Sequence, residues 1–557
     1  MEIIYFIITI IVVLFIKSIY DRKRYRYMIV QTLKAGWGKP STDEYTSEQL
    51  KSIATYYESL RDENLDVDDI TWNDLDMEEL FMIMNNTCCS MGEEYLYSVL
   101  RKLQYDDSKL IKRNELIEFF EKNPEKALEL QVVLKGLGKI KKISIYEYMN
   151  HFSKVRRDST LAHIGMAVGL VASLILILFN PAIGGLLTIF FVCFNVVNYY
   201  KRKGEIDSYI TVCAYIVRML ACIDDLKKIK IDSLSDYFST LESNRKKFSN
   251  FKRGSNLVTS KNATGDLADI ILDYIRMLFH VDLIKFNSML DCFNNNQDTL
   301  NEMFEIIGTM DSMVAVASFR TMMGQYSIPK LSSGKEYSIK VDDLFHPLIE
   351  EPVCNSIDVN SSVLITGSNA SGKSTFLKSL AINAILSQTI FTSLSKSYEA
   401  NYFKVMSSMA LKDNIFSKES YYIVEIKSLK RIIDKIDRKI PTLCFVDEVL
   451  RGTNTLERIA ASSQILNSFA KQNIICFAAT HDIELTHILE KYYRNYHFQE
   501  QIKDNNIIFD YQIYEGRAIS RNAIKLLGIM GYEEEIIENA TNNANEFLEN
   551  GMWSVMD

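Results

Sequence analysis

The run Gly367-Ser-Asn-Ala-Ser-Gly372-Lys373-Ser374 has the spacing G-x-x-x-x-G-K-S. Glycines at Gly367 and Gly372 let successive backbone amides turn toward an anion, and a helix starting at the lysine adds the positive end of its dipole. Such a loop cradles a polyphosphate. Lys373 is placed to contact the β- and γ-phosphates and the Ser374 hydroxyl to ligate Mg²⁺, so ATP and Mg²⁺ are the implied cofactors. Further along, Asp447-Glu448 ends an apolar run. An aspartate there holds the metal through water, and the glutamate beside it orients or deprotonates the attacking water. An acidic pair alone could equally cap a helix. Thr480-His481-Asp482 ends another apolar run. A lone histidine is usually structural. His481 is singled out by its position, as a γ-phosphate sensor, because ligands of open α/β sheets collect beyond the carboxyl ends of parallel strands.

These groups meet only if the surrounding elements bring them together. Residues 363–366 read as a short buried strand, with a helix pattern from 373 to 386. Residues 442–446 and 474–479 are apolar runs of strand length. Strand, loop and helix in that order predict an α/β P-loop ATPase domain at the C-terminus. The chain has 557 residues, more than one ordinary core holds. No proline lies between Pro181 and Pro329, and that stretch is rich in Leu, Ile, Lys and Asp, which predicts an all-α region of extended helices. A net charge of −8 argues against an indiscriminate polyanion binder. Nine cysteines show no C-x-x-C pair and seven histidines no metal-ligand spacing, so a reduced, cytoplasmic chain is expected.

Residues 161–179 and 182–198 are uncharged runs separated by Asn180-Pro181. Each is of a length that crosses a hydrocarbon core of about 30 Å as a helix. Lys154, Arg156 and Arg157 precede the pair and Lys201, Arg202 and Lys203 follow it, so both ends are expected in the cytoplasm. The alternative is a buried hairpin of a soluble core. Residues 3–16 form a third apolar run, followed by Arg22, Lys23, Arg24 and Arg26. No basic residue precedes it, and an uncleaved anchor over 1–20 with its N-terminus outside is expected. The expected location is a multi-pass membrane protein with most of the chain cytoplasmic.

Taken together, the motifs resemble the MutS family. Thr366 to Thr375 matches its T-G-x-N-x-x-G-K-S-T pattern, including Asn369. Arg451-Gly-Thr-Asn-Thr455 matches its R-G-T-x-T, Ala479-Thr-His481 its A-T-H, and His346-Pro347 the H-P that opens its ATPase domain. Gly516 to Ala540 resembles the tail, through Ser520, Asn522, Ala523 and Gly531-Tyr532. More weakly, residues 71–75, Gly92, 96–100 and Arg113 resemble the start of the family's helical core, and Asp311 to Phe319 with Tyr326 and Pro329 the end of its lever helices. The resemblance implies a helical core-like region at 28–157, a lever region at 204–335 and the ATPase domain with a helical tail at 336–557, and the apolar hairpin at 161–200 falls between the first two. It implies ATP held by Gly367, Asn369, Gly372, Lys373, Ser374 and Thr375, a homodimer with composite sites, and DNA as a partner.

Three departures from the family pattern stand out. Little chain precedes the core-like region, so mismatch reading is not expected. The signature segment 417–425 keeps Ser420, which in the family faces the partner's γ-phosphate, and Glu425, but has Lys418 where glycine is common. Val353 stands where many relatives place an aromatic against adenine, and Tyr511 is the candidate to stack there instead. Phe498-Gln-Glu500 spells the family's F-x-E but falls among expected ATPase strands, and reads as coincidence. The run 245–253 interleaves cations with two phenylalanines, which suits phosphate contact or a solvated helix end. Methionines between Met310 and Met323 read as packing. Three functions fit: a membrane-anchored MutS-like ATPase coupled to DNA, a nucleotide-switched membrane scaffold with an unidentified protein partner and no DNA role, and an ABC-type transporter ATPase. Three spans make a poor permeation path, and R-G-T-N-T favours the first two.

Overall fold

Short runs rich in Val, Ile and Phe, buried on both faces, become the central strands of a parallel sheet. The residues around the phosphate motif do this in a computed structural model of the chain. It describes residues 2–156, 159–248, 267–334, 336–368, 371–409, 421–503, 506–518, 524, 527–528, 530–551 and 553. The strands are β1 Lys330–Ser332, β2 Ile339–Leu344, β3 Asn355–Val359, β4 Ser362–Thr366, β5 Ser397–Asn401, β6 Lys404–Ser408, β7 Thr442–Asp447, β8 Ile474–Thr480, β9 Tyr493–Lys503 and β10 Asn506–Glu515. They form a six-stranded sheet in the order β10-β9-β4-β8-β7-β6 and a four-stranded sheet in the order β1-β5-β2-β3. In the larger sheet β9, β4, β8, β7 and β6 run parallel, and β10 closes one edge antiparallel. The expected α/β class is what the C-terminal part adopts.

Two units divide the chain, and the division does not follow chain order. The sheet unit takes Met323–Asp557 together with Asp62–Leu80 and Leu100–Ile111. The early segment is bonded to the sheet's β6 edge. Asp74 accepts from the Ser407 hydroxyl at 2.6 Å and from the Met409 amide at 3.0 Å, and the Ser407 amide donates to Thr71 Oγ1 at 3.1 Å. Asp68 pairs with Arg431 on the helix Tyr421–Asp434. Thr71 and Trp72, singled out by sequence as a start of the helical core, thus belong to the sheet unit.

The helical unit comprises Met1–Arg61, Phe81–Val99 and Lys112–Met322. Its polar pins are buried carboxylates at helix starts. Asp311 accepts from the amides of Cys88 and Cys89 at 2.9 and 3.0 Å, at the N-terminus of the helix Ser90–Arg101. Burial raises the Asp311 carboxyl above its usual range. A Cβ on Gly92 would lie 2.1 Å from that carboxylate, so only glycine fits. Gly92 and Asp311, two separate points of the weaker resemblance, are in contact. Met310 and Met313 are fully buried, as packing requires. All nine cysteines are free thiols.

The hairpin helices are Thr160–Leu176 and Pro181–Leu226. Asn180 caps the second, its side chain accepting from the Ile183 amide, and Pro181 occupies the first turn, where a missing N–H costs nothing. Glycine at 184 lets the Ile177 backbone approach, since a Cβ there would sit 2.5 Å from it. Ser173 and Thr188 bond to each other across the hairpin at 3.1 Å. Leu161, Leu178, Phe179 and Leu186 lie on its open outer surface. The second helix continues for 46 residues, and from Ile206 to Leu226 one side of it, including Ile210, Tyr215, Met219 and Ile223, is buried in the helical unit. Among the described residues it is the one helix long and apolar enough to cross a membrane, and 17 % of its apolar window is buried. Thr160–Leu176 is apolar but shorter. Residues 3–16 lie in the helix Glu2–Gly36.

Candidate functional site

Three strand ends define the site. β4 pairs with β8 so that Thr366 faces Thr480, and β7 pairs with β8 so that Asp447 faces Ala479. Each strand leaves the sheet at the same edge, where the phosphate loop, Asp447-Glu448 and His481 follow. The loop after β4 leads into the helix Lys373–Thr389. Gly367 and Gly372 have φ of 147° and 105°. A Cβ at Gly367 would lie 2.8 Å from the Phe498 carbonyl oxygen, so a side chain is excluded by both conformation and space.

Lys373 Nζ donates to the carbonyls of Gly367 and Ser368 at 2.8 and 2.7 Å. Burial lowers its pKa, against the pull of Asp447 and Glu448. Ser374 and Thr375 stand exposed on the first helical turn. The Ser374 hydroxyl, on the helix that follows β4, and the half-buried Asp447 carboxylate, at the end of β7, are hard oxygen donors at the same end of the sheet. That donor pair suits Mg²⁺, which takes one or two protein oxygens and fills its octahedron with phosphate and water. Among the described residues no cluster of three or more His, Cys, Asp or Glu forms a metal cage.

Glu448 follows β7 in a left-handed conformation, φ 57°, and Leu450 repeats it at 59°. The Glu448 amide donates to the Ala479 carbonyl at 3.0 Å. Its carboxylate bonds to His481 Nε2 at 2.8 Å and to Arg451 Nε at 2.9 Å. The His481 hydrogen bond is the chief reason the Glu448 carboxyl lies below the usual range. His481 therefore touches the candidate base, a contact that strand-end position alone did not specify. Arg458 grips Asp482 with two bonds of 2.9 and 2.6 Å beside them.

A cleft opens next to the loop, lined in part by His346, Val353, Thr375, Phe376 and Tyr511. A register shift in β10 between Phe509 and Ile513 and a φ of 55° at Tyr511 turn that ring toward the loop, where a Cβ on Gly372 would meet it at 3.3 Å. Asn355 pins the bulge, donating to the Tyr511 carbonyl at 3.0 Å and accepting from the Ile513 amide at 2.8 Å. Burial and nearby Lys378 push His346 down to about 4, so its imidazole stays neutral. Asn369, Ser417, Lys418, Ser420, Ser520, Asn522 and Ala523 lie outside the described residues.

Sequence reasoning missed Asn355 and the pairing of Arg458 with Asp482, whose roles come from contacts between distant segments. It passed over Glu500, which accepts from the Ser368 hydroxyl at 2.7 Å. The F-x-E spelling does lie on β9, directly beneath the phosphate loop. In the described part of the 245–253 run, Arg245 donates to the Leu220 carbonyl at 3.0 Å, Lys247 bonds Thr299, Phe248 is buried and Lys246 is exposed. Residues 249–253 lie outside the described residues.

Residues 363–548 match the family model described as MutS domain V. The chain is similar to the DNA mismatch repair protein MSH3 of Debaryomyces hansenii, 25 % identical over 301 residues, covering 49 % of this chain and 29 % of that protein. It is 27 % identical over 285 residues to the DNA mismatch repair protein MutS of Clostridium perfringens, covering 48 % and 30 %. With MutS of Methanosarcina acetivorans it shares 28 % over 264 residues, covering 45 % and 28 %. The match thus spans less than a third of each relative's length. These likenesses are to proteins of the MutS family, and the family model falls on residues 363–548.

Proposed function

We propose that this chain is a membrane-anchored MutS-like ATPase that binds ATP with Mg²⁺ and hydrolyses it at composite sites of a homodimer. The observation that carries the reading is the convergence of three strand ends on one edge, with Lys373, Asp447 and the Glu448–His481 pair all there. Gly367, Gly372 and Lys373 cradle the phosphates, with Asn369 and Thr375 beside them, and Ser374 and Asp447 hold the metal. Glu448 takes the proton of the attacking water, and His481 orients it. Tyr511 stacks on the nucleobase in the cleft beside Gly372. Ser420 acts across the dimer, and membrane tethering raises the effective concentration of the two chains. Mixing tests that step. Lys373→Ala and Ser420→Ala chains, each inactive alone, should together recover turnover at about half the heterodimer's sites. Heterodimers that form and stay inactive would remove Ser420 from the mechanism.

The anchor reading is supported by the outer face of the hairpin, where leucines and phenylalanines stand exposed on helices with basic flanks. DNA enters the proposal through the relatives, which are named DNA mismatch repair proteins. The second reading, a nucleotide-switched membrane scaffold without a DNA role, is favoured by the same apolar hairpin. A salt titration of duplex DNA binding by the detergent-solubilised chain separates them. Binding that weakens linearly in log–log with salt supports a DNA role, and no binding at low salt supports the scaffold.

A further inference from the structure

The turn that carries Glu448 is held from outside the strand it follows. Glu425 lies on the helix Tyr421–Asp434, and its Oε1 accepts from the amides of Leu450 and Arg451. Its Oε2 is buried with no hydrogen-bond partner among the described residues. The same helix meets the turn a second time at Tyr422, whose Cβ would lie 3.1 Å from a Cβ on Gly452. The turn needs this support. Glu448 and Leu450 are both non-glycine residues in left-handed backbone, a conformation that persists only where neighbours over-determine it. The remaining anchors are the Glu448 amide on the Ala479 carbonyl and the Ser462 hydroxyl on the Val449 carbonyl at 3.1 Å.

We propose that Glu425 is a positioning residue that sets the turn Glu448–Arg451 after β7, so that the helix bearing it fixes where Glu448 stands against His481. The inference rests on reading this site as one that hydrolyses ATP. The helix is clamped at its other end, where Arg431 pairs with Asp68 and donates to the Ser407 carbonyl. It is a strut between the β6 edge and the Glu448 turn. Burial raises the Glu425 carboxyl above its usual range, as does nearby Glu448, and the two backbone hydrogen bonds it accepts pull the other way. Loss of those bonds lets the turn relax, and displacement of a reacting group by about 1 Å costs on the order of 10²-fold in rate.

The test uses the full chain in detergent, with turnover normalised to sites titrated by a non-hydrolysable ATP analogue. That normalisation removes any loss that comes from a smaller folded fraction. Glu425→Ala should lower kcat by about 10- to 100-fold while the analogue's Kd stays within about threefold, because the phosphate loop is untouched. Glu425→Gln keeps the acceptor oxygen and should return kcat to within about threefold of the parent. Should Glu425→Ala not fold, Glu425→Asp takes its place: its shorter arm cannot reach both amides, and kcat should fall with Kd held. Parental kcat in the Ala or Asp variant, or a Gln variant as slow as either, overturns the proposal. If the parent has no turnover, the ATPase reading itself fails and this inference falls with it.

Discussion

Glu94 of the helical unit and Glu448 of the sheet unit are both carboxylates drawn out of water, with opposite surroundings. Glu94 is fully buried and accepts from the Ser144 hydroxyl at 2.8 Å and the Ile145 amide at 2.7 Å, at the start of the helix Ile145–Asn150. Burial pushes it up to about 8. Glu448 bonds to two side chains, His481 and Arg451, and lines a cavity with Arg458, Thr480 and Asp482. The first has fixed backbone partners and no room for a ligand. The second has partners that can rotate away and space in front of it. A buried titratable group points to chemistry only when its partners can be exchanged for a substrate.

The largest effect is expected at the phosphate loop. Lys373→Ala should reduce kcat/KM for ATP by about 10²-fold or more and weaken nucleotide binding, as measured by phosphate release and equilibrium binding. Unchanged binding would remove Lys373 from the site. Next comes the hairpin. Leu186 is 72 % exposed. If that face meets lipid, Leu186→Arg, one turn from the start of the span, should cost insertion by less than the about 2.5–3.5 kcal/mol of an arginine at mid-helix, and should reduce the membrane-bound fraction after alkaline extraction. If it meets water, the change stays within about 0.5 kcal/mol and nothing moves. Cysteines at positions 154 and 203 should both resist an impermeant reagent applied to intact cells, and labelling of either would overturn the topology.

Glu94 should behave as a stability group alone. Glu94→Ala strands the Ile145 and Tyr146 amides and should cost about 1–3 kcal/mol by denaturant unfolding, with kcat per folded site unchanged. Its folded-state value lies above the ordinary 4.5, so its contribution is complete below 4.5 and is lost as pH rises toward about 8. Glu94→Gln, neutral at every pH, should flatten that decline. A steeper decline in the Gln variant would mean that the carboxyl is ionised in the folded state. The smallest effect is expected at the cleft: Tyr511→Ala should raise KM by about 3- to 10-fold with little change in kcat, as loss of stacking predicts.

Much of the site was legible because its signals are local. The glycine spacing, the strand at 363–366 and the acidic pair after 442–446 each stand within a few residues, and β4, β7 and β8 lie where the apolar runs put them. The Asn355 pin, the Glu500 contact and the Arg458–Asp482 pair were hidden because they join residues brought together only by the sheet. Residues 71–75 read as the start of the helical core through the weaker family resemblance, whereas the hydrogen bonds of Thr71 and Asp74 go to β6 and the residue after it. The second hairpin run seemed to end near 198, where charge begins. The helix runs on to Leu226 because i-to-i−4 hydrogen bonds do not sense a change from apolar to basic side chains, and no proline or glycine cap interrupts it.

The central claim is that Glu448 is the base at a site that holds ATP without it. Glu448→Gln keeps the shape of the side chain and loses the proton acceptor. Radiolabelled ATP incubated with the purified variant and Mg²⁺ should bind with an affinity close to the parent's and remain as ATP while the parent converts it to ADP and phosphate. Hydrolysis by the Gln variant at the parental rate would contradict the account.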